Sequence, residues 1–114
     1  MNVSVALKGS VAILRIAGKV DLYEGYQLRD RTEALLSDGH PYLVLICQDV
    51  EYVDSTGLGI ILQASHTARE KGGRVALVSP SEAFGRVLSS MRVERYVPVF
   101  ETEEEALASM PDIS

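Results

Sequence analysis

Residues 42 to 59 of the chain, YLVLICQDVEYVDSTGLG, combine an apolar run, an acidic segment and a glycine-containing helix start. The first part, Tyr42 to Cys47, is a continuous apolar run that is rich in β-formers and too short for a buried helix. Such a run is typical of a central parallel strand that is covered on both faces. We expect the acidic segment from Gln48 to Asp54 to end this strand as a loop. A helix is predicted to follow from Gly57 to Lys71, where Gly72-Gly73 ends it.

The residues before this stretch predict a β-hairpin and a first helix. Apolar residues alternate from Val3 to Leu7 and recur from Val11 to Ile16, with a turn at Gly9-Ser10. Residues 24 to 37 then carry apolar side chains at helical spacing, and Asp38-Gly39 supplies a helix stop. The chain is therefore expected to enter the central strand from a helix.

The residues after the stretch predict a further strand and helix. Residues 74 to 78 have a strand pattern. Ser79-Pro80-Ser81-Glu82 has the features of a helix start, with Ser79 as N-cap, proline at the first position and glutamate at the third. The apolar stripe of that helix is predicted to extend from Phe84 to Met91.

The last segment predicts an edge strand and a short helix. Residues 97 to 100 are placed at a sheet edge because Pro98 has no N–H group to donate to a neighbouring strand. Thr102 and Glu105 form a capping box for a final helix. The element order is thus ββαβαβαβα, an α/β fold with a mixed, mostly parallel sheet, an N-terminal hairpin and helices packed on it. Residues 1 to 114 are expected to form one domain.

Composition excludes several classes of function. The formal net charge of -5 opposes binding to nucleic acid or to anionic lipid, so we expect neither as a partner. A single cysteine, Cys47, lies in the apolar strand and cannot form an internal disulfide, which fits a reducing compartment. No basic leader and no bilayer-spanning segment is apparent. The prediction is a soluble, cytoplasmic protein.

A hydroxyl residue, Ser55, lies at or beside the N-cap of the helix that follows the central strand. One interpretation is a plain N-cap. However, Gly57 and Gly59 both fall in the first helical turn, where each glycine costs about 1 kcal/mol relative to alanine. Bare glycines allow close approach by another group, and the free N–H groups of a helix start favour an anion on the Ser55 oxygen. A phosphate there, next to Asp54, would change binding without unfolding the domain.

With these features the chain resembles an anti-sigma factor antagonist of the STAS domain family. The resemblance spans essentially the whole chain. It rests on Val53-Asp54-Ser55-Thr56-Gly57-Leu58-Gly59 after an apolar strand, on Gly18-Lys19-Val20-Asp21 after the hairpin, and on the element order. It implies the STAS fold, with Ser55 as the phosphate acceptor and Thr56 as a weaker candidate.

The resemblance also implies a set of partners. The unphosphorylated form would bind an anti-sigma factor that is also a serine kinase, and would thereby free a sigma factor. Phosphorylation of Ser55 would end this binding, and a phosphatase of the PP2C type would restore it. The chain itself is expected to be no enzyme, to need no cofactor or metal, and to be a monomer on its own.

A kinase-facing surface is implied around the acceptor, with Asp21 as the aspartate at the end of the second strand. The residues expected on it are Asp21, Asp54, Ser55, Thr56, Gly57 and Leu58. Leu58 has the alternative of pointing into the core. Lys19 and Ile46 depart from the family's pattern, since an acidic residue is usual at the first position and Asp or Asn at the second. Both changes are expected to remove a polar group close to Ser55 and to affect partner choice.

An enzyme with Ser55 as nucleophile would need a base within reach. His66 is roughly 16 Å along the predicted helix, and His40 is separated by roughly 20 Å of strand. A nucleophile elbow would need glycine where Val53 stands, and a dinucleotide fingerprint would need glycine where Leu62 stands. Solvated loop carboxylates remain the favoured interpretation of Asp21, Asp49 and Asp54 over a metal site. The open alternative is a STAS module that senses a small ligand or scaffolds a complex, with Ser55 only as a cap.

Overall fold

The computed structural model describes residues 1 to 111, and there the predicted element order ββαβαβαβα is confirmed. The strands are β1 (Asn2–Lys8), β2 (Val11–Val20), β3 (Tyr42–Val53), β4 (Arg74–Val78) and β5 (Val99–Phe100). The helices are α1 (Tyr26–Ser37), α2 (Ser55–Glu70), α3 (Glu82–Ser90) and α4 (Glu103–Ala108). A 3-10 turn at Val93–Arg95 follows α3.

The strands form one sheet in the order β1-β2-β3-β4-β5. β1 pairs with β2 as an antiparallel hairpin, and the other neighbours are parallel, which confirms the mixed, mostly parallel sheet. Alternate strand residues face opposite sides. One side packs against α1, α2 and α3 in the larger core, and the other side packs against Ala106 of α4 and against Met110, which follows that helix. β5 is the edge strand beside β4, as the position of Pro98 predicts.

Strand β3 is longer than predicted. The expected loop from Gln48 to Asp54 is wrong, because the strand runs on to Val53 and pairs with the second half of β2, for example Val20 with Val53. Its acidic residues are exposed, whereas Val50 and Val53 are buried. The sequence pattern misled because this half of the strand has water on one side and extends beyond the pairing with β4. The extension brings the ends of β2 and β3 together at the start of α2.

The start of α3 also differs from the prediction. Ser81 is the N-cap, and its hydroxyl accepts a hydrogen bond from the N–H of Phe84 at 3.2 Å. Ser79 is not the cap, because it lies two residues before Ser81; its N–H donates to the carbonyl of Phe100 at 2.8 Å and its φ is +50°. At the other end of the helix, Met91 is the C-cap and is 60% exposed, so its predicted place in the apolar stripe is wrong.

Cys47 lies in the buried part of β3, as predicted. Burial raises the pKa of its thiol to about 12, although a hydrogen bond from the backbone of Val78 opposes the shift. The thiolate, which is the reactive form, is therefore disfavoured at neutral pH. Within residues 1 to 111, none of the helices has the length and apolar character required to cross a membrane.

Candidate functional site at the start of helix α2

Asp54 is the N-cap of α2, and its carboxylate accepts hydrogen bonds from two separate segments. Oδ1 accepts from the N–H of Gly57 at 2.9 Å, which satisfies a free donor of the first helical turn. Oδ2 accepts from the N–H of Leu22 at 3.0 Å, in the loop between β2 and α1. One side chain therefore fixes the helix start and the neighbouring loop together.

Ser55 is the first residue of α2 and lies beside the cap position. Its interpretation as a plain N-cap is wrong, because Asp54 makes the capping hydrogen bond. The side chains of Ser55 and Thr56 are both exposed. A hydroxyl at this place is accessible to a modifying enzyme without any opening of the fold.

The residues that follow Ser55 anchor the helix start to the domain. Leu58 is 4% exposed and packs in the larger core, so of its two predicted positions the structure shows the core. Gly57 is buried, and a Cβ there would overlap the carbonyl oxygen of Val20 at the end of β2. Gly59, in contrast, has open space around it. The two glycines thus have different reasons: Gly57 permits close packing on β2, whereas Gly59 leaves the outer surface bare.

Asp21 organises the loop that joins β2 to α1. Its Oδ1 accepts hydrogen bonds from the N–H groups of Tyr23 at 3.0 Å and Glu24 at 2.8 Å. Its backbone carbonyl accepts from Gly25 at 2.8 Å. Asp21 is half-buried, and its Oδ1 atom is engaged in hydrogen bonds within this turn. Through the bond from Leu22 to Asp54, the loop that Asp21 shapes lies beside the start of α2.

The same loop carries apolar side chains that the sequence reasoning missed. Leu22 and Tyr26 are exposed, and Tyr23 is 80% exposed. Because Asp21 and Asp54 hold the backbone, these side chains are presented by an ordered turn. Leu22 and Tyr23 form an apolar pair directly after Asp21, and this pair fits neither the period of a helix nor that of a strand. That mismatch could have indicated the exposed loop. Exposed apolar groups that cluster in this way are typical of interaction sites.

Two grooves border the start of α2. The first, which we call the α2–α3 groove, has a volume of about 430 Å³ and is lined by Val53, Asp54, Ser55, Leu58, Arg86, Val87, Ser90 and Met91. The second, the α1–α2 groove, has a volume of about 490 Å³, with Thr56, Gly59 and Ile60 on its α2 side and Arg29 and Glu33 on its α1 side. Ser55 therefore lies on the edge of a mainly apolar surface depression.

The two departures from the family pattern occupy different surroundings. Lys19 is exposed on β2 opposite Tyr52, close to the end of the strand where Asp21 follows. Ile46 is 5% exposed on the side of the sheet that α4 covers, whereas α2 packs on the other side. The expectation that Ile46 changes the surroundings of Ser55 is therefore wrong. Its side chain has the same strand parity as Val44, which places both against α4.

The histidines lie away from Ser55. His40 contacts the carbonyl of Gly9 through Nδ1 at 3.0 Å, at the end of β2 opposite to Val20. His66 lies farther along α2 and pairs with Glu70 at 3.5 Å. Between residues 1 and 111, no group of three or more His, Cys, Asp or Glu side chains is placed to hold a metal. The carboxylates of Asp21 and Asp54 accept backbone N–H groups instead.

The chain is similar to known proteins over most of its length. The model of the STAS domain family matches residues 2–106. A Thermotoga neapolitana protein named as a candidate anti-sigma factor antagonist is 39% identical over 75 residues, which is 66% of either chain. The anti-sigma-B factor antagonist of Bacillus subtilis is 32% identical over 89 residues, covering 76% of this chain and 81% of that protein.

Solved structures show the same fold. The Bacillus anti-sigma factor antagonist SpoIIAA in its unphosphorylated form has a TM-score of 0.80 at 20% identity, covering 93% of either chain. Its phosphorylated form has a TM-score of 0.75 at 19% identity, covering 94% of this chain and 97% of that one. Because the family model matches nearly all of the described residues, the protein belongs to the STAS domain family.

Proposed function

We propose that this protein is an anti-sigma factor antagonist that is switched by phosphorylation of Ser55. Its unphosphorylated form binds an anti-sigma factor serine kinase, and the sigma factor held by that kinase is released. The kinase phosphorylates Ser55 and so ends the binding, and a PP2C-type phosphatase removes the phosphate. In this scheme the protein is ligand and substrate, the catalytic groups belong to its partners, and all of them meet in the cytoplasm.

The observation that carries the proposal is the position of the Ser55 hydroxyl. It is exposed at the first residue of α2, and the adjacent Asp54 makes the capping bond in its place. Because Asp54 makes the capping bond, modification of Ser55 does not involve the group that caps the helix. Here the helix start keeps its cap whether or not Ser55 is modified. The relatives named as anti-sigma factor antagonists, one of them solved with and without phosphate, support this assignment.

The local structure explains how a phosphate would act without unfolding the domain. The phosphate adds close to two negative charges at about neutral pH, on a surface that already contains Asp54. The N–H groups and the dipole of the first helical turn compensate part of that charge. The buried side chain of Leu58 anchors the start of the helix to the larger core. The modification therefore changes the charge presented to a partner while the backbone stays in place.

The partner surface proposed here combines polar and apolar groups around Ser55. Asp21 and Asp54 shape it, Ser55 and Thr56 form its exposed centre, and Leu22 and Tyr23 border it. Gly57 and Leu58 contribute mainly through the backbone of the first turn, since both are buried. An apolar border around a polar centre suits a protein partner, because central contacts exclude water while charges control orientation.

A binding experiment tests the proposal. The exposed position of Ser55 predicts that Ser55→Asp, which places a negative charge on the partner surface, weakens capture of the cognate kinase about tenfold or more, a loss of about 1.4 kcal/mol. Isothermal titration calorimetry of the kinase with wild type, Ser55→Asp and Ser55→Asn measures it, and the asparagine variant controls for side-chain size. Equal affinity for all three would show that the start of α2 does not face the partner.

The α1–α2 groove supports a second candidate function, a STAS module that senses a small ligand or scaffolds a complex. Its walls combine Ile60 and Leu36 with the polar groups of Thr56 and Gln63, which is typical of small-molecule sites. A small ligand that stabilises the protein against heat, with no phosphate acquired from any cognate kinase, would favour this function over the switch.

A further inference from the structure

The α2–α3 groove places a cationic side chain opposite Ser55. Of the residues that line it, Asp54 and Arg86 are the charged ones, and the rest are apolar or carry a hydroxyl. Ser55 lies on the α2 wall, and Arg86 and Ser90 lie on the α3 wall. These two residues are four positions apart, so they project from the same face of α3. A guanidinium and a hydroxyl donor therefore face the acceptor serine across one groove.

Arg86 is free to change its partner. Its guanidinium is 3.5 Å from the carboxylate of Glu82 on the preceding turn of α3, and the side chains are 73% and 87% exposed. Exposed pairs at this spacing contribute little to stability, because water screens them and both side chains lose freedom. A dianionic phosphate is a stronger partner for a guanidinium than one carboxylate, since both can accept two parallel N–H bonds but the phosphate carries close to twice the negative charge. Arg86 would therefore leave Glu82 at small cost.

The nearby carboxylate of Asp54 does not prevent this exchange. Its two oxygens already accept backbone N–H groups from Gly57 and Leu22, which compensate part of its charge. The hydroxyl of Ser90 can donate one further hydrogen bond to a phosphate. The groove thus contains the donors that a phosphoserine on its other wall would need.

We propose that a phosphate on Ser55 is bound across the α2–α3 groove by Arg86 and Ser90. The inference rests on the proposed function, because it requires phosphorylated Ser55. The bound phosphate would lie beside the apolar side chain of Met91, which also lines the groove and is 60% exposed. The phosphate would then oppose partner binding through its charge, held in a fixed position beside this apolar side chain.

The test uses protein that carries phosphoserine at position 55 by incorporation during translation, so that no kinase is needed. The second pKa of the phosphate, ordinarily about 6, is measured by ³¹P nuclear magnetic resonance titration. Contact with Arg86 predicts a pKa about one unit lower in wild type than in Arg86→Gln, since an adjacent cation favours the dianion. Ser90→Ala should give a smaller rise, and Glu82→Gln, which removes the competing carboxylate, should lower the pKa further.

Arg31→Gln is the matched control, because it removes an exposed cation from α1 that does not line the groove. Its phosphate should titrate as in wild type. Identical pKa values in wild type and Arg86→Gln would overturn the inference, and so would equal shifts in Arg86→Gln and Arg31→Gln. Since the phosphate is installed without a kinase, these results are separate from the proposed function, which fails if no cognate kinase modifies Ser55.

Discussion

Helices α2 and α3 each have a serine at their start, Ser55 and Ser81, but the two hydroxyl groups have different roles. Ser81 caps α3, since its oxygen accepts from Phe84 N–H at 3.2 Å, and it also donates to the carbonyl of Val50 at 2.6 Å. Ser55 is displaced from the cap of α2 by Asp54 and is exposed. A carboxylate that caps a helix can therefore leave a neighbouring serine without a structural role. The hydroxyl at α2 is then available for modification.

The largest effect on stability is expected at Gly57, which allows the start of α2 to lie against the end of β2. In Gly57→Ala the new Cβ would overlap the backbone carbonyl of Val20, which cannot move without disturbing the sheet. We expect a loss of about 3 kcal/mol in the free energy of unfolding. Urea unfolding measures it. Gly59→Ala is the control, where open space predicts no loss and a gain of up to about 1 kcal/mol from helix propensity. Losses of similar size in both variants would contradict this assignment.

Asp54, which caps α2, has no counterpart at α3, where a serine is the cap. Asp54→Ala removes the cap bond to Gly57 and the bond to Leu22 together, so we expect a loss of about 2 kcal/mol. Asp54→Asn, which keeps one oxygen for capping, should lose less than half of that. Amide hydrogen exchange in Asp54→Ala should become faster at both Gly57 and Leu22. Faster exchange at Gly57 alone would mean that the loop does not depend on this carboxylate.

The smallest expected effects concern the two serines themselves. Ser81→Ala removes two hydrogen bonds at a half-buried cap, and we expect it to lower the free energy of unfolding by about 1.5 kcal/mol. Ser55→Ala should stay within about 0.5 kcal/mol of wild type, as is usual for an exposed residue outside the cap. Denaturant melts of the pair give the difference directly. If the two variants were equally destabilised, both serines would have a structural role.

The sequence predicted the framework well, because the framework depends on periodic patterns. The apolar run from Tyr42 to Cys47 lies in a central strand, residues 74 to 78 form β4, and Thr102 accepts from the N–H of Glu105 at 3.1 Å, which is one of the two hydrogen bonds of the predicted capping box. The second half of β3 was missed. Acidic residues are as compatible with the solvent side of a strand as with a loop, and only the pairing with β2 decides between them.

The details of the candidate site were harder to predict. Asp54 and Ser55 are adjacent and both are good N-cap residues, so propensity alone does not choose between them. The bond from Leu22 to Asp54 joins segments that are 32 positions apart, and no local pattern predicts such a contact. The position of Ile46 could have been found, because strand alternation already places it with Val44 and away from the side that α2 covers.

Mapping the site of phosphorylation tests most directly whether Ser55 accepts the phosphate. Wild type, Ser55→Ala and Thr56→Ala are incubated with the cognate anti-sigma factor kinase and ATP, and intact mass spectrometry counts the phosphates before peptide mapping locates them. The exposed hydroxyl beside the Asp54 cap predicts one phosphate on wild type and on Thr56→Ala, and none on Ser55→Ala. A phosphate that persists in Ser55→Ala, or that maps outside the start of α2, would contradict the assignment of Ser55 as the phosphate acceptor.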